Sequence, residues 1–83
     1  MTYYVYIVRC KDGALYTGTT PDLGKRLRRH HAGTGAKYTR GRGPLVLVYS
    51  VEYKDRSEAL RREYAIKQLS RAEKLRLIAC REQ

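Results

Sequence analysis

The sequence predicts an α+β domain, a small three-stranded antiparallel sheet flanked by helices in the order β-β-α-β-α-α. Three observations predict it. Residues 2–10 (TYYVYIVRC), 14–19 (ALYTGT) and 45–53 (LVLVYSVEY) are rich in β-branched and aromatic side chains, which suit a pleated, half-buried surface. The first two runs are separated by Lys11-Asp12-Gly13, a hairpin signal. Thr20-Pro21, Asp55 with Glu58, and Ser70 with Glu73 each precede a stretch with helical spacing and carry a capping signature. At 83 residues the chain makes one domain spanning 1–83. A domain this short buries only about 60–65% of the surface its unfolded chain exposes, so its site residues must also hold the fold together.

Each element has its own justification. In the hairpin, loop length decides which side chains share a face. A two-residue Asp-Gly turn would put Tyr6 and Tyr16 on opposite faces. A three-residue turn, with Lys11 and Asp12 in a type I turn and Gly13 left-handed, pairs Val8 with Tyr16 and Tyr6 with Gly18. Tyr6, Tyr16 and Gly18 then share one face, and Val5, Ile7 and Leu15 the other. The three-residue turn is the expectation. Gly18 is small either to admit a backbone or phosphate beside the tyrosines or because it marks a bulge.

Thr20 as N-cap with Pro21 at the first helical position begins a helix to about Ala32, with Leu23 and Leu27 as its buried stripe. Residues 32–43 contain four glycines, Gly33, Gly35, Gly41 and Gly43, and read as a basic loop. Leu45 to Tyr53 forms the third strand. Asp55 opens a helix to about Leu69, and Ser70 opens the last helix, which carries Leu75, Ile78 and Ala79 toward the sheet.

Composition narrows the class of function. Cys10 and Cys80 lie near opposite ends without CxxC spacing, which argues against zinc and for two thiols in a reducing cytoplasm. No apolar run approaches the roughly 18 residues needed to span a bilayer. There is no Walker loop, Rossmann glycine signature or GxSxG. Net charge is +10, from 18 Lys+Arg against 8 Asp+Glu. Between Asp22 and Glu52 there is no acidic residue, while Lys25, Arg26, Arg28, Arg29, Lys37, Arg40 and Arg42 fall there with His30 and His31. A surface of one sign repels itself and calls for a polyanion, and the interrupting glycines favour a phosphate backbone over a membrane surface. Lys25, Arg29, Lys37, Tyr38, Arg40 and Arg42 are the candidate nucleic-acid contacts, with Tyr38 placed among cations for base stacking.

A hairpin bearing Tyr6 and Tyr16 on one face, followed by a basic helix, resembles the GIY-YIG endonuclease superfamily. Tyr4-Val5-Tyr6 stands in the first half of that name and Tyr16-Thr17-Gly18 in the second. Arg26 and His30 follow one turn apart, and Ala59-Leu60-Arg61-Arg62-Glu63-Tyr64 is similar to the family's glutamate segment. The resemblance covers nearly the whole chain and is closest to the small stand-alone bacterial branch, the YhbQ-like proteins. It departs from the pattern in two places. Tyr4 and Val5 replace the first glycine and isoleucine, and the asparagine many members carry near the C-terminus has no counterpart, since the chain contains none.

The resemblance implies a metal-dependent endonuclease hydrolysing DNA phosphodiester bonds, with single-stranded and branched forms among its substrates and RNA left open. Its implied catalytic residues are Tyr6, Tyr16, Arg26, His30 and Glu63. Phosphodiester hydrolysis needs a positioned water, charge neutralisation on the non-bridging oxygens and help for the leaving oxygen. Tyr6 takes or relays the water's proton, nearby cations favouring its ionised form. Tyr16 orients Tyr6 or the phosphate, and Arg26 binds phosphate oxygens bidentately. His30, on the same helical face as Arg26, shares the proton transfers. Glu63 holds one divalent cation, Mg2+ or Mn2+, completed by waters and phosphate. The alternative is a non-catalytic nucleic-acid-binding module that keeps the fold. A domain this small leaves room for an unidentified partner protein to supply specificity.

Overall fold

The computed structural model describes residues 2–32 and 44–82. Its elements are β1 (Tyr3–Arg9), β2 (Leu15–Thr20), α1 (Leu23–His31), β3 (Val46–Tyr53), α2 (Arg56–Lys67) and α3 (Arg71–Glu82). The α+β order expected from the sequence is thus observed. The loop contacts expected at Lys37, Tyr38, Arg40 and Arg42 lie outside the described residues.

The hairpin closes through the three-residue turn. Gly13 N–H donates to the Cys10 carbonyl at 2.9 Å, Cys10 N–H donates to the Ala14 carbonyl at 2.8 Å, and Gly13 takes a φ of +89°, which only glycine adopts at no steric cost. This turn fixes the register: Tyr6 opposes Gly18, and Val8 opposes Tyr16. The pairing runs unbroken along β2, so Gly18 marks no bulge. The irregularity lies instead between β1 and β3, at Ile7/Val8, where Val48 is the extra residue.

The sheet order is β2-β1-β3, all antiparallel. Alternation along the strands then divides the side chains between two faces. Val5, Ile7 and Tyr49 point to the face covered by α2 and α3, where they pack with Ala59, Ile66 and Ile78 into the main core. Tyr6 and Val8 point to the other face, over which α1 lies. Ala59 and Ile66, both fully buried, tie α2 to the sheet. On α3 the inward positions are Leu77 and Ile78, and Leu75 stays 43% exposed. The Leu75 stripe expected from the sequence is therefore turned by part of a helical step toward Leu77.

Helix starts follow local chemistry, with one departure from expectation. The N-cap of α1 is Asp22, which has an extended backbone and whose carboxylate accepts from Lys25 N–H at 3.0 Å. Thr20 does not cap the helix, because it still pairs with Tyr4 as the last residue of β2. Its hydroxyl instead accepts from Asp22 N–H at 3.2 Å, closing the turn over Pro21. Asp55 caps α2 through Ser57 N–H at 3.0 Å. At α3 the capping box is complete: Ser70 N–H donates to Glu73 Oε1 at 3.0 Å, and Glu73 N–H donates to Ser70 Oγ at 3.2 Å.

Candidate active site

Tyr6 is the centre of a four-residue cluster between the sheet and α1. Its strand lies in the middle of the sheet, and the side chain is completely buried. The hydroxyl lies 2.9 Å from His30 Nε2 and accepts from Arg26 Nε–H at 3.3 Å. Arg26 and His30 reach the same atom because they are one helical turn apart on α1. Tyr16 completes the group, its ring centroid 6.4 Å from that of Tyr6 and 5.4 Å from that of His30, both pairs inclined rather than stacked. The structure thus gathers Tyr6, Tyr16, Arg26 and His30 in direct contact.

Gly18 makes this possible. A Cβ added there would stand 2.6 Å from the Tyr6 hydroxyl oxygen and 2.7 Å from ring carbon Cζ. The Tyr6 ring therefore lies flat across its own cross-strand partner, and no larger residue fits beneath it. The sequence offered a close approach to the tyrosines as one reason for this glycine. The approaching group is Tyr6 itself.

Electrostatics assign the protons. Burial pushes the Tyr6 phenol above its usual range, and the hydrogen bond and charge of Arg26 only partly oppose this. Arg26 does favour the ionised form, as expected, but desolvation of the phenolate outweighs this one adjacent guanidinium. Burial also lowers the His30 pKa, helped by the charges of Arg26 and His31, so His30 is a neutral imidazole at neutral pH. Arg26 is held charged, chiefly by its bond to Tyr6 and further by Tyr16. A guanidinium only donates, so of the two groups bonded to the Tyr6 hydroxyl only His30 Nε2 can accept its proton.

Glu63 approaches from the other side of the sheet. Thr19 opposes Val5 and so faces α2, and its hydroxyl donates to Glu63 Oε1 at 2.6 Å. Lys67 Nζ lies 2.8 Å from Glu63 Oε2. The carboxylate is thus carried to the open edge of β2, near enough that its charge contributes to the upward shift of Tyr6. It is linked to the cluster through the electrostatic field rather than by a direct bond. The role of Thr19 as its anchor was not anticipated from the sequence. The signal was present in the alternation of Gly18 and Thr19 about the strand, but only the placement of α2 gives it meaning.

Lys25 and Arg29 flank Arg26 on the outer side of α1. With Thr19, Thr20, Pro21 and Asp22 these three cations line an open groove of about 400 Å³ that begins at the cluster. Among the described residues, no group of three or more His, Cys, Asp or Glu side chains gathers to hold a metal, and no helix is long and apolar enough to cross a membrane.

Known proteins resemble this chain over most of its length. Residues 2–76 match the model of the GIY-YIG catalytic domain. A UPF0213 protein of Oceanobacillus iheyensis is 56% identical over 81 residues, 98% of this chain and 94% of that one. A UPF0213 protein of Clostridium perfringens is 57% identical over 76 residues, covering 92% of this chain and 82% of that one. The solution NMR structure of a UPF0213 protein from Bacillus halodurans superposes with a TM-score of 0.65 at 50% identity, covering 96% of this chain and 85% of that one. Matched by that domain model over most of its length and by these relatives at 50% identity or more, the chain belongs to the GIY-YIG family, among the UPF0213 proteins.

Proposed function

We propose that this protein is a metal-dependent endonuclease that hydrolyses phosphodiester bonds in DNA. The observation that carries the reading is the Tyr6 hydroxyl, held between a donor-only cation and a neutral imidazole that accepts its proton. A phenol so placed passes a proton onward as it receives one. The raised Tyr6 pKa makes a standing phenolate at neutral pH unfavourable, which supports relay over direct attack by an ionised base. As a water's proton reaches the Tyr6 oxygen, the phenolic proton moves to His30 Nε2, and the phenol stays neutral throughout.

Arg26 serves both ends of this step. Its bond to Tyr6 is long at 3.3 Å, and the residue borders the groove it shares with Lys25 and Arg29. A phosphate entering that groove offers two oxygens to the guanidinium fork. Turning toward the phosphate uncovers the buried Tyr6 hydroxyl, so substrate and proton relay meet only when the strand is in place. Tyr16, half-buried at the mouth of the cluster, supplies a hydroxyl toward the same phosphate.

Glu63 fits a magnesium site. Its carboxylate is anchored at one oxygen by Thr19 and already holds a cation, the Lys67 ammonium, at the other. Magnesium commonly takes one or two carboxylates and completes its shell with waters and phosphate. Bound at Glu63, it would neutralise charge on the phosphate and leaving oxygens.

The test is cleavage of labelled single-stranded, duplex and branched DNA in magnesium, comparing wild type with Glu63→Gln. The variant should lose about 10²–10³-fold in cutting, as for removal of one charge-stabilising group, while binding the same DNA. Chelation by EDTA should do the same to the wild type. Tight binding without cutting in magnesium or manganese would instead identify a nucleic-acid-binding module on an inherited scaffold.

A further inference from the structure

The charge of this protein is not confined to α1. At the N-terminal end of β2, on the far side of the cluster from the α1 groove, a second groove of about 280 Å³ is lined by Leu15, Tyr16, Thr17, Lys67 and Lys74. A third continues from it, sharing Leu15 and Lys74 and ending at Arg71. All three grooves touch the line of β2, the first from the α1 side and the other two from the side of α2 and α3. The first touches Thr19 and Thr20 at the C-terminal end of β2, and the second touches Leu15 to Thr17 at its start. β2 is an edge strand of the sheet, so every second residue turns an unpaired N–H and C=O toward this line.

Two features of the second groove point to a ligand. Thr17 is 96% buried by its 4% exposure, yet its hydroxyl has no hydrogen-bond partner among the described residues. Buried hydroxyls are ordinarily satisfied. Beside it the half-buried Lys74 makes no side-chain hydrogen bond or ion pair among the described residues. Lys67, by contrast, is shared with Glu63, and Arg71 is positioned by donating to the Gly13 carbonyl at 2.8 Å, which leaves other guanidinium donors to face outward. The second groove thus sets a buried hydroxyl and an ammonium, neither with a partner among the described residues, beside Tyr16, and the third adds a fixed guanidinium beyond them.

We propose that the nucleic-acid strand runs along the open edge of β2, its backbone on one side of the cut held by α1 and on the other by a phosphate site formed by Tyr16, Thr17, Lys67 and Lys74. The proposal rests on the nuclease reading for its ligand class, a phosphodiester backbone. The six residues of β2 extend about 20 Å at ~3.3 Å each. A nucleic-acid backbone followed along its contour spaces its phosphates more widely than the ~3.4 Å axial rise of a duplex strand, so this length spans a few phosphates, enough for a contact on each side of a central cut. Phosphates on both flanks would fix the scissile bond along the strand, a positioning that a one-sided site leaves free to slide.

The experiment measures binding of a fluorescein-labelled 20-nucleotide single-stranded DNA by anisotropy over a series of salt concentrations, without magnesium. Wild type is compared with Lys74→Ala, Lys74→Gln, Lys25→Ala and Lys54→Ala, the last lying beyond β3 at the opposite edge. Both Lys74 variants should bind about three- to tenfold more weakly at low salt, and the slope of log affinity against log salt should fall by about 0.7 for the lost contact. Lys54→Ala should match wild type, and melting temperatures should confirm that all variants fold. Lys74 variants that bind like wild type while Lys25→Ala weakens would overturn the β2-edge path and leave the nuclease reading standing. Equal weakening by Lys54→Ala would reduce the effect to net charge and also overturn it. A wild type that binds no oligonucleotide would overturn both.

Discussion

A phenol with no surface exposed to solvent is an uncommon place to begin the proposed hydrolysis, and its partners account for how it would work there. Tyr6 accepts from Arg26 and shares a hydrogen bond with His30 Nε2, which in the tautomer protonated on Nδ1 accepts the phenolic proton and so defines its path. Keeping His30 neutral is part of that design, and it has a measurable cost in acid. The His30 pKa is depressed by burial, so the unfolded chain takes up this proton before the folded one does. The associated stability is complete above about 6.5, the unfolded value, and is lost as pH falls from there through the folded value. The melting temperature should therefore decline below pH 6.5, before the carboxylates titrate, and His30→Gln should flatten that decline. Cleavage should fall over the same window, because a protonated His30 cannot accept from Tyr6. An unchanged pH profile in His30→Gln would separate this histidine from both effects. The spacing of Arg26 and His30 was legible in the sequence, since four residues in a helix always share a face. The ionisation of Tyr6 was not, because the balance between burial and one adjacent cation depends on depth that no local pattern reports.

At the scale of elements, β2 does most to assemble the site. Its turn sets the register, its glycine receives the Tyr6 ring, its Thr19 anchors Glu63, its Thr20 closes the turn into α1, and its outer edge stays open. Gly18→Ala tests the packing directly. The added methyl would meet the Tyr6 oxygen at 2.6 Å, and the ring cannot move without leaving His30. Overpacking of this kind costs about 1–3 kcal/mol, which for so small a domain lowers the melting temperature by about 4–8 °C per kcal/mol. Cleavage should fall by a larger factor than the lost folded fraction accounts for. A variant with wild-type melting temperature and activity would contradict this packing. The hairpin was fully legible, because the length of Lys11-Asp12-Gly13 allows only one turn that puts both tyrosines together. The start of α1 was misplaced by two residues, because Thr20-Pro21 and Asp22 are both good capping chemistry. Long-range pairing of Thr20 with Tyr4 decided between them.

For the molecule as a whole, a +10 chain places the Tyr6 cluster beside the β2 edge that both cationic surfaces border. The α1 surface was visible in the sequence as an unbroken basic run. The α2–α3 surface was not, since Lys67, Arg71 and Lys74 stand among acidic residues and become one feature only where Glu63 and Glu73 are occupied by Thr19, Lys67 and Ser70. The central claim remains local: the Tyr6 hydroxyl carries the proton of the cutting step. The measurement that tests it most directly is the single-turnover cleavage rate of Tyr6→Phe in magnesium, with DNA affinity measured alongside. Phenylalanine keeps the ring over Gly18 and removes only the relaying oxygen. The rate should fall by about 10²–10⁴-fold, the usual contribution of a positioned acid–base group, with affinity close to that of wild type. A Tyr6→Phe protein that cuts at the wild-type rate would contradict the account.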